Sequence, residues 1–218
     1  MFDCQLFTDA DRAKLGSGTH IIFCLDESGS MNGQSWYALT TAYNSFIQQR
    51  RNDQSLDDTV SIIKFQSYAR VEHEMVALRN APALGGMVGG GTDFSAALQQ
   101  VSAVLQRRSM CAQNPLLVFM SDGEATADTS TMRSLCQQYP SFRAEFIGLG
   151  SGHFSELRQM ASACPSSRGA FRQATSAQQL TKAFTEIATN CTPVKQLIDR
   201  FGQKMASDIA DKIIANRL

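Results

Sequence analysis

The sequence predicts an α/β protein built on a doubly wound, mostly parallel six-stranded sheet, with one antiparallel edge strand and helices on both faces. Three observations carry this expectation. Unbroken apolar runs at residues 21–25 and 116–120 read as strands covered on both sides, as in a parallel sheet. Stretches with apolar residues every three or four positions alternate with such runs, which is the pattern of helices between strands. Each apolar run leads into an aspartate with small residues nearby, Asp26 ahead of Ser28 and Gly29 in one case and Asp122 between Ser121 and Gly123 in the other, where a doubly wound sheet places its ligand site.

The elements follow in order. Residues 1–17 are polar and mixed and read as a lead-in; the domain proper is expected over 18–190. After the first strand, Trp36, Leu39, Tyr43, Phe46 and Ile47 mark an amphipathic helix over 35–51, completing a βα unit. Residues 60–65 and 69–75 are separated by only Gln66, Ser67 and Tyr68, too short for a parallel crossover, so they form a hairpin. The second of these alternates charged and apolar side chains and suits a sheet edge. Residues 84–93 are rich in glycine and run into a helix marked by Phe94, Ala97, Leu98, Val101, Val104 and Leu105. No Lys precedes Thr92 and Asp93 follows it, which argues against a phosphate loop. Beyond the strand at 116–120 come a short helix stopped by Pro140, a strand at 144–150, a helix carrying Phe154, Leu157, Met160 and Ala161, a strand at 169–173 and a helix over 180–188. Residues 191–218 form an extension in which Val194, Leu197, Ile198, Phe201, Met205, Ile209 and Ile213 fall on one helical stripe. That stripe, over 194–218, is a candidate for self-association or for docking back on the domain.

Composition narrows the partners. The 218 residues carry 20 Lys plus Arg against 20 Asp plus Glu, so no net charge draws the chain to nucleic acid or to an anionic membrane. No apolar run approaches the roughly 20 residues of a membrane span. The six cysteines, Cys4, Cys24, Cys111, Cys136, Cys164 and Cys191, show no C-x-x-C pair and no zinc spacing. They point to reduced thiols and a cytoplasmic protein; export would instead allow Cys4 and Cys191 to staple the two ends of the domain.

The chemistry concentrates in Asp26-x-Ser28-x-Ser30. Three side-chain oxygens stand at alternate positions, with Gly29 letting the backbone curl so that they face one point. Taken alone, the pattern is also that of a turn or helix cap. If the strands ending at Asp26 and Asp122 are neighbours, their carboxylates converge; two such charges about 4 Å apart repel by about 4 kcal/mol at an effective dielectric of 20. A divalent cation relieves this, with Ser28, Ser30 and Thr92 adding neutral oxygens. Hard oxygen donors suit Mg²⁺, or Mn²⁺ or Ca²⁺, rather than zinc. Glu27, beside Asp26, is expected to face solvent.

Asp26-x-Ser28-x-Ser30, Thr92 within Gly-Gly-Thr-Asp, and Asp122 at the end of a later strand together resemble the metal-ion-dependent adhesion site of the von Willebrand factor A domain family, over about residues 18–190. The resemblance implies a Rossmann-like fold and a non-enzymatic, metal-dependent protein-interaction module. It also implies that Ser28 and Ser30 bind the metal directly, that Thr92 does so in a state-dependent way, and that Asp26 and Asp122 act largely through water. The open metal position would take a Glu or Asp carboxylate of a partner protein. Two alternatives compete: a metal-dependent hydrolase or phosphoryl-transfer enzyme, and a scaffold whose metal is purely structural. The enzyme is disfavoured because Ser28 stands where a phosphoaspartate mechanism wants a second Asp, and the chain has no G-x-S-x-G elbow.

Overall fold

The computed structural model describes residues 18–55, 57–107 and 114–191. The lead-in over 1–17 and the helical stripe over 194–218 lie outside the described residues. Six strands form one sheet: β1 (Thr19–Asp26), β2 (Thr59–Phe65), β3 (Ala69–Ala77), β4 (Asn114–Ser121), β5 (Arg143–Leu149) and β6 (Gly169–Ala174). Their order is β3-β2-β1-β4-β5-β6, parallel throughout except for the antiparallel edge pair β2–β3. Five helices join them: α1 (Gln34–Asn52), α2 (Phe94–Arg107), α3 (Thr129–Gln138), α4 (Ser155–Ser162) and α5 (Ala177–Asn190). This is the doubly wound sheet with an antiparallel edge that the apolar runs predict.

Alternation along β1 divides the core. Ile21, Phe23 and Leu25 face α1 and α5, while Ile22 and Cys24 face α2, α3 and α4. A strand buried on both faces has no wet side, which is why its sequence is continuously apolar. Phe23 shows how the first layer closes: its ring meets Tyr43 and Phe46 edge-on, both at 5.0 Å, and stacks over Phe184 at 6.2 Å. On the opposite face Phe119 joins Phe65, Phe94 and Phe146 at 5.0, 5.3 and 5.5 Å. Each fully buried ring contributes roughly 1.5–3 kcal/mol over its exposed state.

The position of the site follows from connectivity. From β1 the chain passes through α1 to β2, on one side of the sheet's middle; from β4 it passes through α3 to β5, on the other side and across the opposite face. The crevice between the carboxyl ends of β1 and β4 is therefore the topological switch point. Their register pairs Leu25 with Met120, so Asp26 and Ser121 close the strand ends side by side and Asp122 begins the loop.

One helix boundary differs from the periodicity. Phe154 continues the apolar spacing of α4 but stands before it, in a left-handed conformation at φ 50°. The buried ring lies over Gly148, where an added Cβ would stand 2.6 Å from the ring atoms. Packing against that glycine, rather than helix propensity, holds Phe154.

Candidate functional site

β1 delivers Asp26 to the switch point fully buried. Its Oδ1 accepts a hydrogen bond from the Ser28 backbone N–H at 2.7 Å, and its Oδ2 accepts from Ser121 Oγ at 2.5 Å. Both oxygens are thus engaged by the protein. Ser28, also buried, and Ser30, exposed on the 3₁₀ turn Gly29–Met31, share a hydrogen bond at 3.0 Å between their hydroxyls. Ser30 Oγ in turn donates to Asp122 Oδ1 at 2.7 Å, across 92 positions of sequence. Thr92 enters from the glycine-rich loop beside Gly123; a Cβ at Gly123 would stand 3.6 Å from Thr92 Oγ1. All five residues singled out in the sequence converge on this end of the sheet, with Asp26 as the buried anchor and Ser30 at the surface.

The glycine-rich loop is held to the turn by backbone bonds. Gly29 N donates to Gly90 O at 2.9 Å, and Gly89 N donates to Glu27 O at 3.1 Å. Gly90, at φ 129°, approaches so closely that a Cβ there would overlap Gln66 Oε1 at 2.0 Å. Only a glycine satisfies both conditions. Lys64, fully buried, reaches the same loop: its Nζ donates to Gly86 O and to Glu72 Oε1, each at 3.0 Å. Asp93 accepts from Ala96 N at 3.0 Å and so caps the first turn of α2.

Two residues take roles that sequence reasoning did not assign. Ser121 orients Asp26, and its Oγ also accepts from Gly123 N at 3.1 Å, so one hydroxyl fixes both the carboxylate and the Asp122 loop. The available signal was a hydroxyl next to Asp122 at the end of a strand paired with β1. Glu27 does not face solvent. It is fully buried, its carboxylate forms a two-point ion pair with Arg70 from β3, and its N–H donates to Phe65 O at 2.8 Å. The antiparallel return of β3 brings Arg70 to this end of the sheet, and a buried carboxylate requires such a partner.

The electrostatics of the two aspartates are alike. Burial pushes the Asp26 carboxyl above its ordinary value of 3.8; hydrogen bonds from Ser121 and Ser28 oppose this, and the charge of Asp122 adds to it. Burial likewise raises Asp122, against the hydrogen bond from Ser30. A native pKa above the unfolded one means that the folded chain holds more protons, so these carboxyls make the metal-free domain less stable as pH rises from 3.8 through their raised native values. Asp122→Asn is expected to flatten that fall in urea unfolding followed upward from pH 3.8. An identical slope in wild type and variant would overturn the assignment.

The donor set fits a hard divalent cation: two carboxylates and three hydroxyls, in a crevice with an exposed rim. Among the described residues no group of three or more His, Cys, Asp and Glu side chains is placed to hold a metal, so a cation here would depend on the hydroxyls.

Residues 21–124, which include all five site residues, match the family model of the von Willebrand factor type A domain. No curated protein gives a significant sequence match. Among solved structures, the pilus adhesin SpaC from Lactobacillus rhamnosus GG superposes with a TM-score of 0.65 at 16% identity, covering 81% of this chain and 31% of the adhesin. A von Willebrand factor type A protein from Catenulispora acidiphila gives 0.62 at 19%, covering 81% and 43%. The minor pilin PilB from Streptococcus sanguinis gives 0.62 at 15%, covering 83% and 62%. The chain thus spans less than two thirds of each of these proteins, and the likeness is one of fold. The fold is that of the von Willebrand factor A domains, and residues 21–124 match that family's model.

Proposed function

We propose that the domain is a metal-dependent protein-interaction module, without catalytic activity of its own, that captures a Glu or Asp side chain of a partner protein. The observation that carries this reading is the division of labour at the switch point. Asp26 is buried with both oxygens occupied, whereas Ser30, Thr92 and Asp122 reach the rim. Ser28, Ser30 and Thr92 would hold Mg²⁺, or Mn²⁺ or Ca²⁺, with Asp26 and Asp122 acting chiefly from one layer further out. The bound cation supplies a hard, positively charged centre with a coordination position for an outside carboxylate. Because Asp26 is held back by Ser121 and the Ser28 N–H, less of the cation's charge is neutralised by the protein and more is left for the partner.

The fold shared with a pilus adhesin and a minor pilin agrees with an interaction role, although the ligand of this chain rests on its own residues. A cytoplasmic placement belongs to this proposal; the described cysteines, Cys24, Cys136, Cys164 and Cys191, are buried free thiols. Cys4, the other half of the alternative staple, lies outside the described residues, and no described helix is long and apolar enough to cross a membrane.

The test is selection of a phage-displayed random peptide library on the full 218-residue chain in Mg²⁺. Enriched peptides are expected to carry Asp or Glu and to be released by EDTA. Enrichment without an acidic residue, or retention in chelator, would leave the metal a structural role only. Turnover of a phosphoester lost with Asp26→Ala would restore the enzyme.

A further inference from the structure

Among the described residues, the large apolar side chains left exposed are Tyr37, Tyr68 and Val88, at 71, 56 and 64%. All three belong to segments at the carboxyl end of β1 and β2, around the site. Tyr37 lies in the first turn of α1, immediately after the turn that carries Ser30. Tyr68 is in the β2–β3 turn, where its carbonyl accepts from Gln66 N at 2.9 Å. Val88 precedes Gly89, whose N–H is bonded to Glu27 O. The adjoining loops are tied together, since Gly91 N donates to Ser67 Oγ at 2.9 Å and Asp93 N to Gln66 O at 2.8 Å.

The rim around the site is therefore polarised. On the Tyr68 and Val88 side Glu27 is paired with Arg70 and Lys64 with Glu72, and the Asp93 carboxylate is engaged in capping α2 through Ala96 N. On the Asp122 side, exposed Glu124 and half-buried Glu156 line one depression. An acidic ligand segment is repelled by that second side, whereas tyrosines offer large, stiff contact surfaces at low entropic cost on the first.

We infer that the captured carboxylate belongs to a protein segment with aromatic or branched aliphatic residues flanking its Asp or Glu, laid across Tyr37, Tyr68 and Val88 and away from Glu124 and Glu156. This deepens the proposed function and rests on its carboxylate capture. The apolar rim selects the partner; the metal site holds it.

The same peptide library, now with a fixed central Glu, separates the two. In Mg²⁺ the full chain is expected to enrich aromatic and branched aliphatic flanks at least about threefold over the input. The combined variant Tyr37→Ser, Tyr68→Ser and Val88→Ser should lose that enrichment and bind a selected peptide about tenfold more weakly, while Mg²⁺ affinity stays within about twofold. EDTA-sensitive capture of the Glu peptides with unbiased flanks, or unchanged affinity in the variant, overturns the rim assignment and leaves carboxylate capture standing. Wild-type capture that is absent, or indifferent to EDTA, overturns both.

Discussion

Replacing Ser28 and Ser30 together by alanine is expected to weaken Mg²⁺ or Mn²⁺ binding at least about 100-fold while the domain keeps its fold. Two of the three hydroxyls of the proposed donor set are lost at once, and the carboxylates that remain cannot replace them. Asp26 is tethered by Ser121 Oγ and the Ser28 backbone N–H, and both bonds survive the substitution. The apolar core is untouched, because the lost hydroxyls bond toward each other and toward the crevice carboxylates Asp26 and Asp122. Stability should therefore change by no more than about 1 kcal/mol. Calorimetric titration of the metal, with circular dichroism as the control on fold, measures both quantities. Undiminished metal binding in a folded variant would refute the assignment of these two serines.

The largest expected loss of stability lies far from that site. Asp58→Ala should cost about 3–5 kcal/mol and lower the melting temperature by roughly 10 °C. Arg50, on the last turn of α1, is fully buried, and Asp58 is 3% exposed. Asp58 Oδ2 accepts from Arg50 Nε at 2.9 Å and Nη2 at 2.5 Å, while its Oδ1 accepts from Thr19 N at 2.8 Å. Arg50 Nη1 also donates to Ala188 O at 3.1 Å, on α5. One ion pair thus joins the start of β1, the end of α1 and the end of the last core helix. Removing the carboxylate takes a charged partner from the buried guanidinium, which is why a single deletion costs more than the pair itself contributes. Arg50→Met with Asp58→Asn should recover part of the loss, since Asn can still accept from Thr19 N. Urea unfolding of the three proteins measures this, and a loss below about 1 kcal/mol for Asp58→Ala would contradict it.

What each level of description determined can be argued from particular residues. The unbroken run at the centre of β1, the three-residue link at Gln66 to Tyr68 and the alternation of strands with amphipathic helices were enough to predict the sheet and its antiparallel edge, because backbone pairing and burial leave direct periodic traces. The oxygens of Asp26, Ser28 and Ser30 were legible for a related reason: they are close in sequence, and Gly29 between them marks a turn. Thr92 and Asp122 could be added only by supposing which strands are neighbours. β1 and β4 do pair in parallel, which brings Ser30 to Asp122.

Contacts between distant polar side chains were not legible. Ser121 is an ordinary serine until the β1–β4 register sets it against Asp26. Glu27 looks like a surface acid until β3 folds back and offers Arg70, 43 positions away. Arg50 and Asp58 look equally ordinary, on the polar side of a helix end and in a loop. Apolar side chains announce their burial because water rejects them wherever they stand. A polar side chain is buried or solvated according to whether the fold brings it a partner, and for Glu27, Arg50 and Ser121 only the tertiary structure supplied one.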